Sequence, residues 1–299
     1  MIISGCSLRV SGRLLRMARV DAEKFLFLES DPDEAIAALR ESHKRVDLFT
    51  FQQRLPETTP KYSYPMEWDN FAAIPLTTFD HWWNQQLGFK ARNKAKQAGK
   101  KGVVIRAVAF DRALTASICE IYNECPVRQG RPFRHYGKDH ETVHREAATY
   151  LDRSVFFGAF SQDKLIGFIK LVVDDSGTQA GLMNIVALIR QRDKAPANAL
   201  VAEAVRECTA RGIRFLTYAN FAYGKKQSDS LSDFKERNGF VRMNVPRYYV
   251  PLTPLGATAL RLRLHRRLSE RVPESVAVRV RELRESWYRW RFASTAEVS

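Results

Sequence analysis

The chain is poor in cysteine, in acids and in long apolar runs, and each shortage excludes something. Its four cysteines, Cys6, Cys119, Cys125 and Cys208, form no Cys-x-x-Cys pair and no regular framework. A disulfide scaffold is therefore not expected, and a reduced, cytoplasmic chain is the simpler reading. The longest strongly apolar run, GLMNIVALI at 181–189, is far short of the roughly 20 residues that span a bilayer. The first residues, MIISGCSLRVSGRLL, show no apolar segment followed by a cleavage-site pattern. Acids number 33 against 48 lysines and arginines, a formal net charge of +15. That excess predicts an anionic partner without naming it: nucleic acid, anionic lipid or a phosphate-bearing small molecule.

What is present argues for a folded chain. A hydrophobic content of 45% with 11% aromatics is enough for true cores in 299 residues. Residues 102–252 alternate between strand and helix patterns. Runs rich in β-branched and aromatic residues lie at 102–109, 154–160, 164–173, 181–189, 213–220 and 240–252. Helical stretches fit 110–126, 138–153 and 197–211, the last with Leu200, Val201, Ala204, Val205 and Cys208 on one face. A short fourth helix fits SLSDFKERNG, capped by Ser230 or Ser232 and stopped by Gly239. Earlier, FLFLES (25–30), a helix over 31–45 and VDLFTFQQ (46–53) read as a β-α-β unit, followed by a strand in 66–76.

The stretch GFKARNKAKQAGKKG, 88–102, carries six cations and no acid. Arg92, Lys96 and Lys100 share one helix face. The stretch lacks side chains placed to read base edges, and Phe89 is its only aromatic for stacking, so DNA is not expected. A solvated linker helix, a face toward a phosphate-bearing substrate and a tRNA contact remain open.

The element order β-α-α-β-β-β-α-β-α-β resembles that of the GNAT acyltransferases. LSDFKERNGF (231–240) resembles the Phe-Lys-x-x-x-Gly-Phe ending of Fem-like GNAT domains, and KARNKAKQAGKKGV (90–103) resembles the basic helix leading into their second domain. The resemblance covers roughly 80–252. It implies an α/β fold with a GNAT-like mixed central sheet flanked by helices. The expected organisation is a shortened GNAT-like subdomain (1–86), a basic linker helix (87–101), a GNAT domain (102–252) and a basic helical C-terminal arm (253–299).

The resemblance also implies a chemistry. A GNAT fold binds acyl-CoA at a splay between its fourth and fifth strands, with the pyrophosphate on free amides at the start of its third helix. The corresponding turn here, RDKAPA, departs from the family's Gln/Arg-x-x-Gly-x-Gly/Ala. Arg192, Lys194, Ala195, Ala197 and Asn198 are the expected donor-binding residues, joined by Asn220 at the end of the fifth strand. Lys235 stands where many GNAT enzymes carry a tyrosine acid; it and Tyr223 are the expected catalytic residues, with Tyr218 nearby. Glu67 and Asp69, and Arg128, Arg131 and Arg134 in PVRQGRPFRHYG, are expected to meet the acceptor, the arginines suiting a carboxylate or phosphate.

The expected activity is N-acyl transfer from acyl-CoA, in particular acetyl-CoA, to an amine of a small-molecule or cell-envelope precursor. An aminoacyl-tRNA donor and a non-catalytic GNAT-fold binding protein are the alternatives. No metal is expected. HETVH, His140 to His144, matches the HExxH zinc pattern literally. However, no glutamate occurs between 147 and 202 as a third ligand, and Ala147 and Tyr150 break the extended pattern. The arm 253–299 holds ten arginines and five glutamates, with leucines at 260, 264 and 268. It reads as a helical arm packed on the domain or as a peripheral membrane contact.

Overall fold

The computed structural model describes residues 2–3, 6–21, 31–128, 131–222 and 230–266, with single positions at 279, 283 and 287. It opens with three short strands, β1 (Ile2–Ile3), β2 (Cys6–Ser11) and β3 (Met17–Val20), then α1 (Pro32–Glu41), β4 (Leu48–Gln52) and β5 (Met66–Pro75). A helical turn, α2 (Phe79–His81), runs into a π-helical turn at Trp82–Gln86 and is followed by α3 (Phe89–Lys100). Next come β6 (Val104–Val108), α4 (Arg112–Tyr122), the small hairpin β7 (Val127–Arg128) and β8 (Arg131–Pro132), and α5 (His140–Ala147). The meander β9 (Ser154–Ser161), β10 (Lys164–Val173) and β11 (Gln179–Ala187) leads through a 3-10 segment, Ile189–Lys194, into α6 (Pro196–Ala210). The chain then forms β12 (Phe215–Asn220), α7 (Ser230–Arg237), β13 (Val241–Pro251) and α8 (Pro254–Arg261).

Local chemistry sets these boundaries. Asp111 and Asp139 cap α4 and α5 through the N–H groups of Leu114 and Thr142, at 2.7 and 2.8 Å. Helix α6 starts on Pro196 and buries Leu200, Val201, Ala204, Val205 and Cys208. Helix α7 stops at Gly239, whose φ of 86° is open to glycine at little cost. A side chain there would also collide with the Trp82 indole.

Eleven strands form one mixed sheet in the order β1-β2-β3-β4-β13-β5-β12-β11-β10-β9-β6. The last strand, β13, lies between β4 and β5, and β5 lies between β13 and β12. The chain before residue 87 and the chain after it therefore share one sheet. The main core fills the space between the strands of the second part and α3, α4 and α6. A second core under α1 gathers Leu39, Phe49, Phe51, Tyr248 and Val250.

The strands and helices of 102–252 lie close to where the sequence pattern predicts them. The first part differs. The parallel partner of β4 is β3, Met17–Val20, which pairs in a hairpin with β2. That hairpin was not expected, because its alternation is short and broken by arginines. Residues 25–30, expected as a strand, lie outside the described residues, as do Tyr223, Leu268 and nearly all of the arm beyond 266. Among the described residues no helix is long and apolar enough to cross a membrane.

Candidate functional site

Strands β11 and β12 pair in parallel over only three positions, Gln179 with Phe215, Ala180 with Leu216 and Gly181 with Thr217. Both then run on separately, β11 to Ala187 beside β10 and β12 to Asn220 beside β5. A bulge in β12 accompanies the parting: Ala219 takes φ 48°, and the register with β5 slips between Thr217 and Asn220. Residues Met183 to Ala187 on the parted edge are half-buried rather than buried. A parting of parallel strands exposes main-chain groups that need a partner, which makes it a natural slot for a ligand.

The turn into α6 lies at the end of this slot. Ala195 adopts the left-handed conformation, φ 52° and ψ 41°, and no side chain caps the helix. Its N–H donates to Arg192 O at 3.1 Å, and those of Asn198 and Ala199 donate to Ala195 O at 3.2 and 3.4 Å. Pro196 has no N–H. Among the described residues this leaves Ala197 as the helix-starting amide without a partner. The neighbouring side chains are also engaged. Asn198 Nδ2 donates to Asn238 Oδ1 at 3.1 Å, and Lys194 Nζ to Ser161 Oγ at 2.9 Å. Arg190 and Arg192 are exposed. Helix α3 meets the same turn, where Lys101 Nζ donates to Asp193 O at 2.8 Å. Lys90, Lys94 and Lys100 of α3 remain exposed, whereas Arg92 is spent on the carbonyls of Asn84 and Leu87.

On the other strand, Lys235 of α7 is fully buried. Its Nζ donates to the carbonyl of Asn220, the last residue of β12, and lies 4.6 Å from the Tyr218 ring centre. Ser232 Oγ donates to Phe221 O at 3.2 Å, and Asn70 Oδ1 accepts Ala222 N–H at 2.8 Å. The Phe-Lys motif thus fastens the end of β12.

The loop between α4 and α5 reaches the end of β11. Arg128 donates to Ala187 O at 2.7 Å and to Ile121 O at 2.8 Å, and pairs with Glu124 at 3.2 Å. Glu124 in turn accepts the N–H groups of Ile189 and Arg190 at 2.6 and 3.1 Å. Burial holds the Arg128 guanidinium below its ordinary range despite this partner. Arg134 donates Nε to His135 Nε2 at 2.9 Å. His135 stacks 4.4 Å from the Tyr122 ring. Burial, then Arg134 and Lys138, push its pKa down to about 4. Arg131 is half-buried on β8 and has no side-chain ion pair among the described residues. Glu124 escaped the sequence reading because nothing in its spacing signals that it would bind backbone 65 residues away.

Glu67 and Asp69 sit apart from this group on β5. Asp69 accepts Arg247 Nε at 2.6 Å and Gln52 Nε2 at 3.1 Å. Glu67 accepts His265 Nε2 at 3.0 Å and Arg266 Nε at 2.8 Å. Burial opposes the Glu67 charge, but these two partners win and hold its pKa low. Register places Asp69 two residues from Phe71, the partner of Asn220, so Asp69 and Asn220 share a sheet face. His140 and His144 share Thr115 Oγ1, at 3.0 and 3.3 Å. Among the described residues no three His, Cys, Asp or Glu side chains converge to hold a metal.

The sequence matches no protein-family model and no curated protein. Solved structures do match. The C-terminal domain of a lysylphosphatidylglycerol synthetase from Agrobacterium fabrum aligns with TM-score 0.56 at 13% identity, over 87% of this chain and 86% of that one. L-PGS from Bacillus licheniformis aligns with TM-score 0.56 at 11% identity, over 89% of each chain. FemX aligns with TM-score 0.55 at 11% identity, over 81% of this chain and 83% of that one. At such identities the likeness is one of fold, and the fold is of the GNAT type, a large mixed sheet flanked by helices.

Proposed function

We propose that this chain is a GNAT-type acyltransferase whose acyl donor is an aminoacyl-tRNA and whose acceptor is an amine of a small-molecule or cell-envelope precursor. One observation carries the choice of donor. The turn that would cradle a CoA pyrophosphate uses its own amides, leaving Ala197 alone beside Pro196. A diphosphate needs several converging donors, and a single amide is a weak site. The exposed cations Arg190, Arg192 and Lys100 near the same turn, continued along α3 by Lys94 and Lys90, suit a phosphate backbone. Likeness in fold to FemX and to L-PGS supports this reading.

In the reaction the acceptor nitrogen bonds to the acyl carbon. The ester bond to the tRNA ribose oxygen breaks, and the proton lost by the amine ends on that oxygen. The slot between β11 and β12 would hold the acyl group. Asp69, on the Asn220 face, would orient the amine, with Glu67 further along the same row and Arg131 and Arg134 at the other rim. Lys235 would act through the strand end that it holds, as a positioning residue. Tyr223, outside the described residues, is a candidate contact by its place three residues after Asn220 in the sequence.

The second reading keeps acetyl-CoA as donor. The open slot and the Ala197 amide at its end favour it. Titration calorimetry separates the two. The first predicts no heat from acetyl-CoA at millimolar concentration and binding of aminoacyl-tRNA that weakens steeply with salt. Saturable acetyl-CoA binding with transfer to an amine would establish the second. A chain that binds neither would leave the acyltransferase reading without a donor.

A further inference from the structure

Two remote segments of the chain meet at one end of the sheet, and both present leucine between arginines. The β2–β3 hairpin tip is Gly12-Arg13-Leu14-Leu15-Arg16, with Leu14 87% exposed. Helix α8 and the turn after it expose Leu255, Leu262 and Leu264 beside Arg261 and Arg263. Neither stretch holds an acid: none occurs in 6–20 or in 251–269.

Their proximity is built in by Asp47, which is buried. Its Oδ2 accepts Arg16 N–H at 2.9 Å, and its Oδ1 accepts Thr253 Oγ1, the cap of α8, at 2.9 Å. Arg45 Nε donates to the same Oδ1 at 3.0 Å, and Arg45 also reaches Leu14 O at 3.4 Å. The Asp47 backbone adds bonds from Asp47 N–H to Arg16 O and from Leu252 N–H to Asp47 O. Asp47 is thus enclosed, and its charge is consumed internally; the neighbouring acid, Glu67, is neutralised by His265 and Arg266. Outside them stands an edge of exposed leucines and arginines.

We infer that this end of the sheet docks on an anionic lipid surface, with Leu14 and Leu255 entering the headgroup layer and Arg13, Arg16 and Arg261 meeting lipid phosphates. Charge complementarity selects this occupant. Exposed leucines are wasted on a nucleic acid, whose backbone rewards cations alone, whereas a bilayer interface rewards both.

The test is co-sedimentation of the full chain with vesicles. No acyl donor is present, so the outcome is independent of the function proposed above. The chain is expected to pellet with phosphatidylcholine vesicles doped with phosphatidylglycerol, to stay in solution with phosphatidylcholine alone and to be released by high salt. Leu14→Glu and Leu255→Glu should each weaken binding about tenfold. Both side chains are exposed, so the fold should survive, and a thermal melt checks this. Should Leu255→Glu disturb α8, Leu14→Glu and Leu14→Ser still decide, because the Leu14 side chain is exposed at the hairpin tip. The inference is overturned if doped vesicles fail to bind the chain, or if the Leu14 variants bind as well as the parent. It is also overturned if an RNA oligonucleotide, but no vesicle, is bound through this edge.

Discussion

Lys235 of α7 reaches across to the main-chain carbonyl of Asn220 and so pins the last residue of β12, three residues past that strand's final pairing with β11. A lysine with its charge in the protein interior needs such a partner, and the Tyr218 ring supplies a second. On the proposed reading the bond would position the strand end that borders the slot. Lys235→Met keeps the volume but frees the strand end. It should lower kcat by about tenfold to a hundredfold, the scale of an ångström-sized misplacement, with KM changing less. Steady-state kinetics with the donor identified by calorimetry checks this. A variant with unchanged kcat would remove Lys235 from any role in transfer.

The other wall of the slot depends on the Glu124–Arg128 pair. The pair is nearly enclosed, with side chains 9% and 15% exposed, and each partner also holds main-chain groups around residues 187–190. Removing one charge strands the other, so Arg128→Met should destabilise the fold by about 3–5 kcal/mol. Glu124→Gln, which keeps one acceptor, should do less. Urea unfolding of both variants measures the difference. A substrate-binding role alone for Arg128 would leave stability untouched.

Lys170, in the middle of β10, is buried and donates to Ala147 O, at the end of α5, at 2.8 Å. Burial pushes its pKa from 10.5 down to about 8. Between those values the unfolded chain keeps a proton that the folded chain has shed, so the group makes stability rise with pH across that window. Below about 8 both states are protonated, and the burial penalty is carried in full. The slope is about 1.4 kcal/mol per pH unit at most. Melting curves should show the parent gaining stability from pH ~8 to ~10 relative to Lys170→Met, whose difference from the parent is otherwise constant. A constant difference throughout would mean that the lysine keeps its ordinary pKa.

Periodicity made the second part of the chain legible. Strands such as KLIGFIKLVV are apolar apart from Lys164 and Lys170, and α6 has a five-residue apolar face, so burial dictated their form. The hairpin β2–β3 was hidden because its strands are short and its arginines break the alternation. Within the site, Phe234-Lys235 and the turn at 192–198 stood out as motifs, but motif and spacing do not reveal hydrogen-bond partners. The sequence could not indicate that Ala195 N–H folds back on Arg192 O, or that Arg128 is taken up by Ala187 O. Both depend on contacts between residues brought together only by the sheet. The same holds for Lys170, which looks like a solvent-facing lysine until α5 covers it.

Gly256 tests how α8 is seated. A β-carbon on this residue would lie 1.8 Å from Asp47 O, a main-chain atom that also accepts Leu252 N–H at 3.0 Å. The carbonyl cannot yield without breaking that bond or shifting β4, so the helix must move instead. Gly256→Ala gains helix propensity, worth up to about 1 kcal/mol. The collision outweighs it, since overpacking against a fixed backbone costs about 1–3 kcal/mol and sometimes more. The net expectation is a loss of stability, with faster hydrogen exchange at the Gly256 and Ala257 amides, whose bonds to Thr253 hold the start of α8. Ala257→Gly, one position on and exposed, serves as the control: it should lose only the propensity term and leave the Gly256 amide protected. Equal exchange in the two variants would mean that α8 is not held by its contact with Asp47.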